Sequence, residues 1–147
     1  MEAIKYIVNV EGAIVREDHY LMIVRGQGET HAGGTLSFVG GKVETTEHAS
    51  DVLEETLRRE IMEEVGVQVS DMVYVHSTHF ITDNHDLVVD VVFLCRYATG
   101  EPRIADLEEV ESILWLTTAE VIEHSLCPPW TQTSIKRAEA LRQQLKW

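Results

Sequence analysis

The sequence has no uninterrupted apolar run of about 18 residues, so no transmembrane helix is expected. Residues 1–15 lack a basic start followed by a long apolar stretch, so no signal peptide is expected either. There are only two cysteines, Cys95 and Cys127, too few for a disulfide framework or a cysteine-based zinc site. These absences predict a cytoplasmic protein that does not enter a membrane.

Positive charge is also scarce. Twelve lysines and arginines face 25 aspartates and glutamates, which gives a formal net charge of −13. A field of this sign opposes binding to nucleic acid polymers and to anionic membranes. A phosphorylated small molecule fits only if clustered carboxylates hold divalent cations, because the ions then dominate the local charge. Solubility alone accounts for most of the acidic surplus.

The 147 residues suit one domain over residues 1–147, and strands alternate with helices along it. Hydrophobic periodicity and turn residues predict strands at 4–15, 20–25, 35–39, 67–81, 87–97 and 112–116. They predict helices at 51–65, 117–125 and 131–145. The fold class is therefore α/β (of the α+β type), with a mixed central sheet flanked by helices.

The helix at 51–65 is the clearest element. An apolar residue recurs every four positions, and Ser50 or Asp51 is a plausible N-cap with Gly66 as the stop. The apolar stripe comprises Leu53, Leu57, Ile61 and Val65.

Three glutamates of this helix, Glu60, Glu63 and Glu64, follow the i, i+3, i+4 spacing of one helix side. At about 100° per residue, Glu64 falls inside the apolar stripe, Glu60 on its edge and Glu63 a little beyond. A solvated acidic face would lie opposite the stripe. Carboxylates that point toward the protein body suit Mg²⁺ or Mn²⁺. The alternative is an ordinary acidic helix stabilised by pairs such as Glu54–Arg58.

The segment from Gly40 to Val67 resembles the Nudix box, G-x5-E-x7-R-E-U-x-E-E-x-G-U, where U is bulky and aliphatic. Residues 59–67 match every fixed position of its second half, and Gly40-Gly41 resembles its opening. Counting forward from Gly41 places the first box acid at Glu47, whereas counting back from Arg59 places it at Asp51. The loop is therefore longer than usual, and both residues stay open for that position.

The resemblance implies a Nudix-like α/β/α sandwich and a set of roles. Glu60, Glu63, Glu64 and the Gly41 carbonyl would hold the metal, which is Mg²⁺ with Mn²⁺ as the alternative. Glu60 and Glu64 would also be catalytic, and Arg59 would orient the box carboxylates through ion pairs. Gly40 would let the backbone approach substrate phosphate closely.

A later acidic turn supplies further candidates. Some family members take their general base from such a turn, and here Glu108 is the candidate, with Glu109 and Glu111 as alternatives. A solvated turn is the simpler explanation of these three residues. Arg25 and Lys42 could contact substrate phosphates, or they could be ordinary surface cations.

The histidines and large aromatic residues favour structural roles. No pair among His48, His76, His79 and His85 has zinc-site spacing, and His76 and His79 should lie on opposite faces of a strand. Aromatic residues could stack on a base, although such residues are usually core. The three candidates are Phe80, Trp115 and Trp130.

The resemblance therefore predicts a Mg²⁺-dependent hydrolase that cleaves a pyrophosphate bond in a nucleoside diphosphate linked to another group X. A nucleoside triphosphate or nucleotide sugar is the expected partner, and a homodimer is possible. The alternative is a non-catalytic nucleotide-binding regulator on the same fold. A diphosphate isomerase would need a catalytic cysteine, and mid-strand Cys95 gives it little support.

Overall fold

The computed structural model describes residues 2–29, 31–44 and 49–147. Seven strands make up the sheet: β1 Ile7–Arg16, β2 His19–Arg25, β3 Leu36–Ser37, β4 Val39–Lys42, β5 Gln68–Ile81, β6 Leu87–Thr99 and β7 Val110–Thr117. Three helices flank it: α1 Val52–Val65, α2 Thr118–Glu123 and α3 Pro129–Leu145. The predicted mixed sheet flanked by helices is confirmed.

Strands β1 and β6 form the parallel centre of this sheet, and every other pairing in the described residues is antiparallel. Strand β6 lies between β1 and the terminal strand β5. The opposite edge of β1 pairs with β4 along residues 9–12 and with β2 at residues 15–16. Strand β2 in turn carries β3 and β7. Because β1 is central, one of its faces packs against α1 and the other faces the layer of α2 and α3.

The core divides along the two faces of β1. Val10 and Ile14 belong to a cluster that includes the apolar stripe of α1. Ala13 and Val15 belong to a second cluster, on the side of α2 and α3. Alternate residues of a strand point to opposite faces, so one strand packs against both layers.

Among the described residues, no helix has both the length and the apolar character needed to cross a bilayer.

Helix α1 packs closely on β1 at Gly12. A Cβ atom there would lie 3.2 Å from the Cys95 sulfur and 3.4 Å from side-chain carbons of Ile61 and Leu57. The helix ends as predicted at Gly66, in the left-handed conformation (φ 70°). Asp51 is the N-cap residue, but its side chain makes no capping hydrogen bond and its own φ is 55°.

Several element boundaries differ from the sequence expectation, among them the start of β1, which is Ile7 rather than residue 4. Residues 35–39 do not form one strand, because β3 ends at Ser37 and β4 continues through Gly40 and Gly41. These two glycines lie opposite Glu11 and Val10 of β1, so they are strand rather than loop residues. Helix α3 begins at Pro129, which is tolerated because the first helical position needs no N–H donor.

The start of α2 follows the sequence expectation. The Thr117 hydroxyl accepts a hydrogen bond from the Glu120 amide, and the Glu120 carboxylate accepts one from the Thr117 amide. The predicted capping box is therefore present.

Helix α3 is tied to β2 by a partly buried polar contact, which yields a test of stability against pH. Glu139 accepts hydrogen bonds from Arg142 at 2.7 Å and from the Tyr20 hydroxyl at 2.9 Å. The hydrogen bonds from Arg142 lower the pKa of Glu139 from 4.5 to about 2. Folding therefore favours the ionised carboxylate. Its ionisation adds to the free energy of unfolding in full above pH 4.5, and this stabilisation is lost as the pH falls toward 2.

We expect Glu139→Gln to lower the free energy of unfolding at pH 7 by about 1–3 kcal/mol. Chemical denaturation at a series of pH values should show this difference shrinking as the pH falls from 5 to 3. Glu123→Gln, at an exposed position of α2, is the matched control and should change little. A difference that is independent of pH would rule out this role for the Glu139 charge.

Candidate functional site

The Glu64 carboxylate lies against the backbone of β4. The Gly40 amide donates a hydrogen bond to Glu64 Oε2 at 3.2 Å, and the side chain is partly buried, as its helical phase predicted. Burial, followed by repulsion from Glu60 and Glu109, raises the pKa of Glu64 to about 8. The helix thus holds a carboxylate at a position where its negative charge is unfavourable.

Glu60 occupies the neighbouring position, one turn earlier on α1. Its side chain is 17% exposed, and a Cβ atom on Gly41 would overlap the Glu60 carboxyl group. Burial raises the pKa of Glu60, and the Arg59 charge opposes this shift. Only a glycine at position 41 leaves room for Glu60 in this rotamer.

Arg59 and Glu63 lie on the outer side of this cluster. The Arg59 guanidinium is 3.2 Å from the Glu60 carboxylate and 3.3 Å from the Glu63 carboxylate. Glu63 is 58% exposed, so it points away from the protein body, as expected from its phase beyond the apolar stripe. Arg59 therefore bridges the two glutamates through ion pairs.

The donor chemistry of Glu60 and Glu64 suits a hard divalent cation. Both groups are carboxylates, both are partly buried, and Glu60 raises the pKa of Glu64 by charge repulsion. A cation between them would relieve that repulsion. Across residues 2–29, 31–44 and 49–147, however, no three acidic, histidine or cysteine side chains converge closely enough to hold an ion by themselves. Backbone or substrate oxygens would have to complete the coordination.

The acidic turn before β7 faces the Gly-rich loop after β2. The Gly26 amide donates to the Glu109 carbonyl at 2.9 Å, and a cavity of about 680 Å³ separates the two segments. Glu109 contributes to the raised pKa of both Glu60 and Glu64. The Glu108 amide donates to Asp106 Oδ1 at 2.9 Å. Of the acidic residues in this turn, Glu109 therefore has the direct electrostatic link to the helix.

A second cavity, of about 370 Å³, opens on the α3 side of the sheet, and we call it the aromatic pocket. Its wall contains a stack in which the rings of His31 and Phe80 lie 4.5 Å apart at 9°, with Trp130 6.2 Å from His31. Arg25 and Lys42 also line it. Lys42 directly follows Gly41, so the pocket adjoins the segment that contacts Glu60 and Glu64.

Arg25 is fixed between several acceptors. Its Nε atom donates to the His31 carbonyl at 3.1 Å, and its terminal nitrogen lies 3.4 Å from the Glu29 carboxylate. Its positive charge lowers the pKa of Glu64 and Glu109. Arg25 therefore lies between the aromatic pocket and the acidic cluster.

The remaining sequence candidates lie outside the acidic cluster, although His79 also lines the aromatic pocket. His76 is buried and shares a 2.9 Å hydrogen bond with Ser134, whereas His79 is exposed against Tyr6. His85 has a φ of 65° in the turn between β5 and β6. Trp115 packs with Arg16, whose guanidinium carbon is 4.2 Å from the ring centre. Asp51 is exposed, while Glu47 and His48 lie outside the described residues.

Three polar residues of the aromatic pocket were not anticipated from the sequence. Asn9 and Glu11 occupy alternate positions of β1, and Asp90 lies opposite Asn9 in β6. The available signal was their polarity inside strands that are otherwise strongly apolar, VNVEGAIV and LVVDVVFL. Polar residues in an apolar strand do not by themselves indicate a binding site. Only the pairing of β1 with β6 shows that these three residues lie side by side.

The glycines of β4 provide a test of this geometry. A Cβ atom on Gly40 would collide with the Val10 carbonyl, which is backbone and cannot move aside. We expect Gly40→Ala to lower the free energy of unfolding by about 1–3 kcal/mol. Gly41→Ala should cost less, since only the Glu60 side chain must rotate. Gly28→Ala, which would meet nothing within 4 Å, is the control. Equal effects of the alanines at positions 40 and 41 in urea denaturation would contradict the arrangement.

Comparison with known proteins identifies the family of this chain. The sequence model of the NUDIX domain matches residues 5–138. The chain is 30% identical over 109 residues to the NAD-capped RNA hydrolase NudC of Photobacterium profundum, covering 74% of this chain and 37% of that protein. It is 35% identical over 102 residues to the NudC of Photorhabdus laumondii, covering 69% and 35%. The chain thus spans little more than a third of the length of these curated relatives.

Solved structures show the same fold. The MutT NUDIX hydrolase from Burkholderia pseudomallei superposes with a TM-score of 0.76 at 25% identity, covering 90% of this chain and 98% of that one. The NUDIX domain of Shewanella oneidensis NrtR, crystallised with ADP ribose, gives a TM-score of 0.68 at 17% identity, covering 96% and 89%. With residues 5–138 matched by the domain model and the box helix in place, this chain belongs to the Nudix family of hydrolases.

Proposed function

We propose that this protein is a Mg²⁺-dependent pyrophosphohydrolase that cleaves a nucleoside diphosphate linked to another group X. The observation that carries this proposal is the pair of partly buried carboxylates, Glu60 and Glu64, held against the side-chain-free backbone of Gly40 and Gly41. Folding alone gains little from placing two repelling carboxylates there. A divalent ion bound to a diphosphate would offset the repulsion between the two carboxylates, which accounts for their placement.

The metal would be held by Glu60 and Glu64, with Glu63 and the Gly41 carbonyl as further ligands. When bound, a divalent ion neutralises diphosphate charge and makes a coordinated water more acidic. The protein supplies the rest of the site. Arg59 fixes the rotamers of Glu60 and Glu63 through its two ion pairs. Mn²⁺ is an alternative ion, because it accepts the same oxygen ligands.

The nucleoside would lie in the aromatic pocket and the phosphates at its mouth. Phe80 and Trp130 offer faces on which a base can stack, whereas Trp115 lies elsewhere. Arg25 and Lys42 line the same pocket, so their charges are available to a phosphate. The Gly40 backbone can approach phosphate closely.

A carboxylate that accepts the proton of the attacking water is still needed. Glu109 is the stronger candidate in the later turn, because its charge acts on both Glu60 and Glu64. Burial and the charge of Asp106 raise the pKa of Glu109 itself. A base with a raised pKa accepts a proton more readily near neutral pH. Glu108, the first choice from the sequence, lies in the same turn and is the matched comparison.

The substrate in this proposal is a small nucleotide rather than an RNA. The curated relatives are named for activity on NAD-capped RNA, and the match covers little more than a third of their length. A net charge of −13 opposes binding of a polyanion. A cytoplasmic location and a homodimer remain predictions.

The direct test is Glu64→Gln. We expect it to keep the fold and to reduce Mg²⁺-dependent hydrolysis about a hundredfold or more, since a neutral amide is a poor ligand and a poor base. The reaction is run with Mg²⁺ or, as a blank, with EDTA, on nucleoside triphosphates, nucleotide sugars, ADP-ribose and an NAD-capped RNA. Its products are then converted to free phosphate, which is measured, by a pyrophosphatase for the triphosphates and by a phosphatase for the other substrates. Glu55→Gln is the control, because nine residues of helix place it on the opposite side of α1 from Glu64.

Three other outcomes would change the assignment. Near-wild-type hydrolysis by Glu64→Gln at saturating Mg²⁺ would contradict the proposed site. Hydrolysis of the capped RNA alone would make the substrate class wrong. Nucleotide binding without hydrolysis of any compound would favour the regulator.

A further inference from the structure

The floor of the aromatic pocket is acidic, although the strands that form it are apolar. Asn9 and Glu11 of β1 and Asp90 of β6 project from the same face of the sheet, next to the pair of Ile7 and Val88. Asn9 Nδ2 donates to Asp90 Oδ1 at 2.6 Å. The floor therefore presents carboxyl oxygens to whatever enters between the aromatic walls.

Glu11 lies deep in the protein and yet faces the cavity. Its remaining accessible surface opens into the pocket that it lines. Among the described residues, the side chain within hydrogen-bonding reach of Glu11 is that of Asp90, itself a carboxyl group, while the charge of Arg25 in the same pocket opposes the rise in the Glu11 pKa. Burial and the neighbouring Asp90 raise the pKa of Glu11 well above its ordinary range. A buried carboxyl group without an N–H donor is costly, and a ligand N–H would remove that cost.

We propose that Glu11 and Asp90 select nucleotides whose base carries an exocyclic amino group on its amidine edge, as adenine and cytosine do. This inference rests on the proposed function, because it places the base of the nucleotide in the aromatic pocket. The amino group donates to a carboxyl oxygen of the floor. A base with a carbonyl in that place, such as hypoxanthine or uracil, brings one acceptor against another and is disfavoured.

The shape of the pocket supports this orientation. The stack of His31 with Phe80 and the ring of Trp130 stand beside the floor, so a flat ring that packs against the outer face of this aromatic wall directs an edge toward Asp90 and Glu11. Lys42 and Arg25 line the same cavity, and Lys42 adjoins Gly41 of the acidic site. A base on the floor therefore leaves its phosphates on the path to Glu60 and Glu64.

The experiment measures binding without chemistry. Nucleoside monophosphates have no pyrophosphate bond, so wild-type protein in EDTA can be titrated with AMP and IMP and with CMP and UMP. The readout is the NMR shift of the Trp130 indole N–H, assigned with Trp130→Phe. We expect the amino member of at least one pair to bind about tenfold more tightly or better, as one additional hydrogen bond to a buried carboxyl oxygen provides. Equal affinity within both pairs, or preference for IMP and UMP, would overturn the proposal.

Two variants locate the preference. Asp90→Asn and Glu11→Gln keep the side-chain shape but put an N–H₂ donor on the floor, so each should reduce or reverse the preference of wild type. Asp71→Asn makes the same change at an exposed position of β5 and should leave the preference intact. If one floor variant fails to fold, the other variant still tests the proposal, as do the wild-type affinities for AMP against IMP and for CMP against UMP. A preference that both folded variants retain would assign the selectivity to other residues.

Failure of this inference and failure of the proposed function can be told apart. Hydrolysis of nucleotides with equal binding within both monophosphate pairs would overturn the proposed base selection and leave the hydrolase intact. Preferential binding of AMP or CMP without hydrolysis of any nucleotide would support the base selection and contradict the hydrolase.

Discussion

The site depends on one constraint, the placement of the Glu64 carboxylate against the backbone of β4. A carboxylate at that depth loses hydration, and only the Gly40 amide donates to it among the described residues. Its pKa of about 8 expresses this cost. Much of the surrounding structure serves to hold the arrangement, because Gly12 lets α1 approach β1 and Gly66 ends the helix directly after its apolar stripe. The helix cannot rotate without exposing Leu57 and Ile61.

Strand β1 connects the two halves of the site. Its pairing with β4 sets Gly40 and Gly41 against α1, where the acidic pair lies. Its other face carries Asn9 and Glu11 into the aromatic pocket on the side of α3. Because alternate residues of a strand point to opposite faces, this one segment lies between the acidic pair and the base site. Arg25, whose positive charge lowers the pKa of carboxyl groups on both sides, occupies the junction.

The sequence predicted the parts of this arrangement that local periodicity determines. The phase of α1 correctly predicted a partly buried Glu64 and an outward Glu63, and the Thr117 capping box was correct. Residues brought together by long-range pairing were not predictable in the same way. Asp90 lies 81 positions from Asn9, and only the parallel register of β1 with β6 makes them neighbours. The predicted strand at 35–39 stopped short of the glycines of β4, because their strand pairing depends on β1 rather than on their own residues.

The most direct test of the account is the location of divalent-ion binding by NMR. Mn²⁺ broadens the amide signals of residues near the ion, so a substoichiometric titration of the wild-type protein reports where it binds. The account predicts that broadening begins at Gly40, Gly41, Glu60 and Glu64 and is reversed by excess Mg²⁺. Broadening that spreads evenly over the acidic surface, or that begins at the Asp106–Glu111 turn without affecting Glu64, would contradict it.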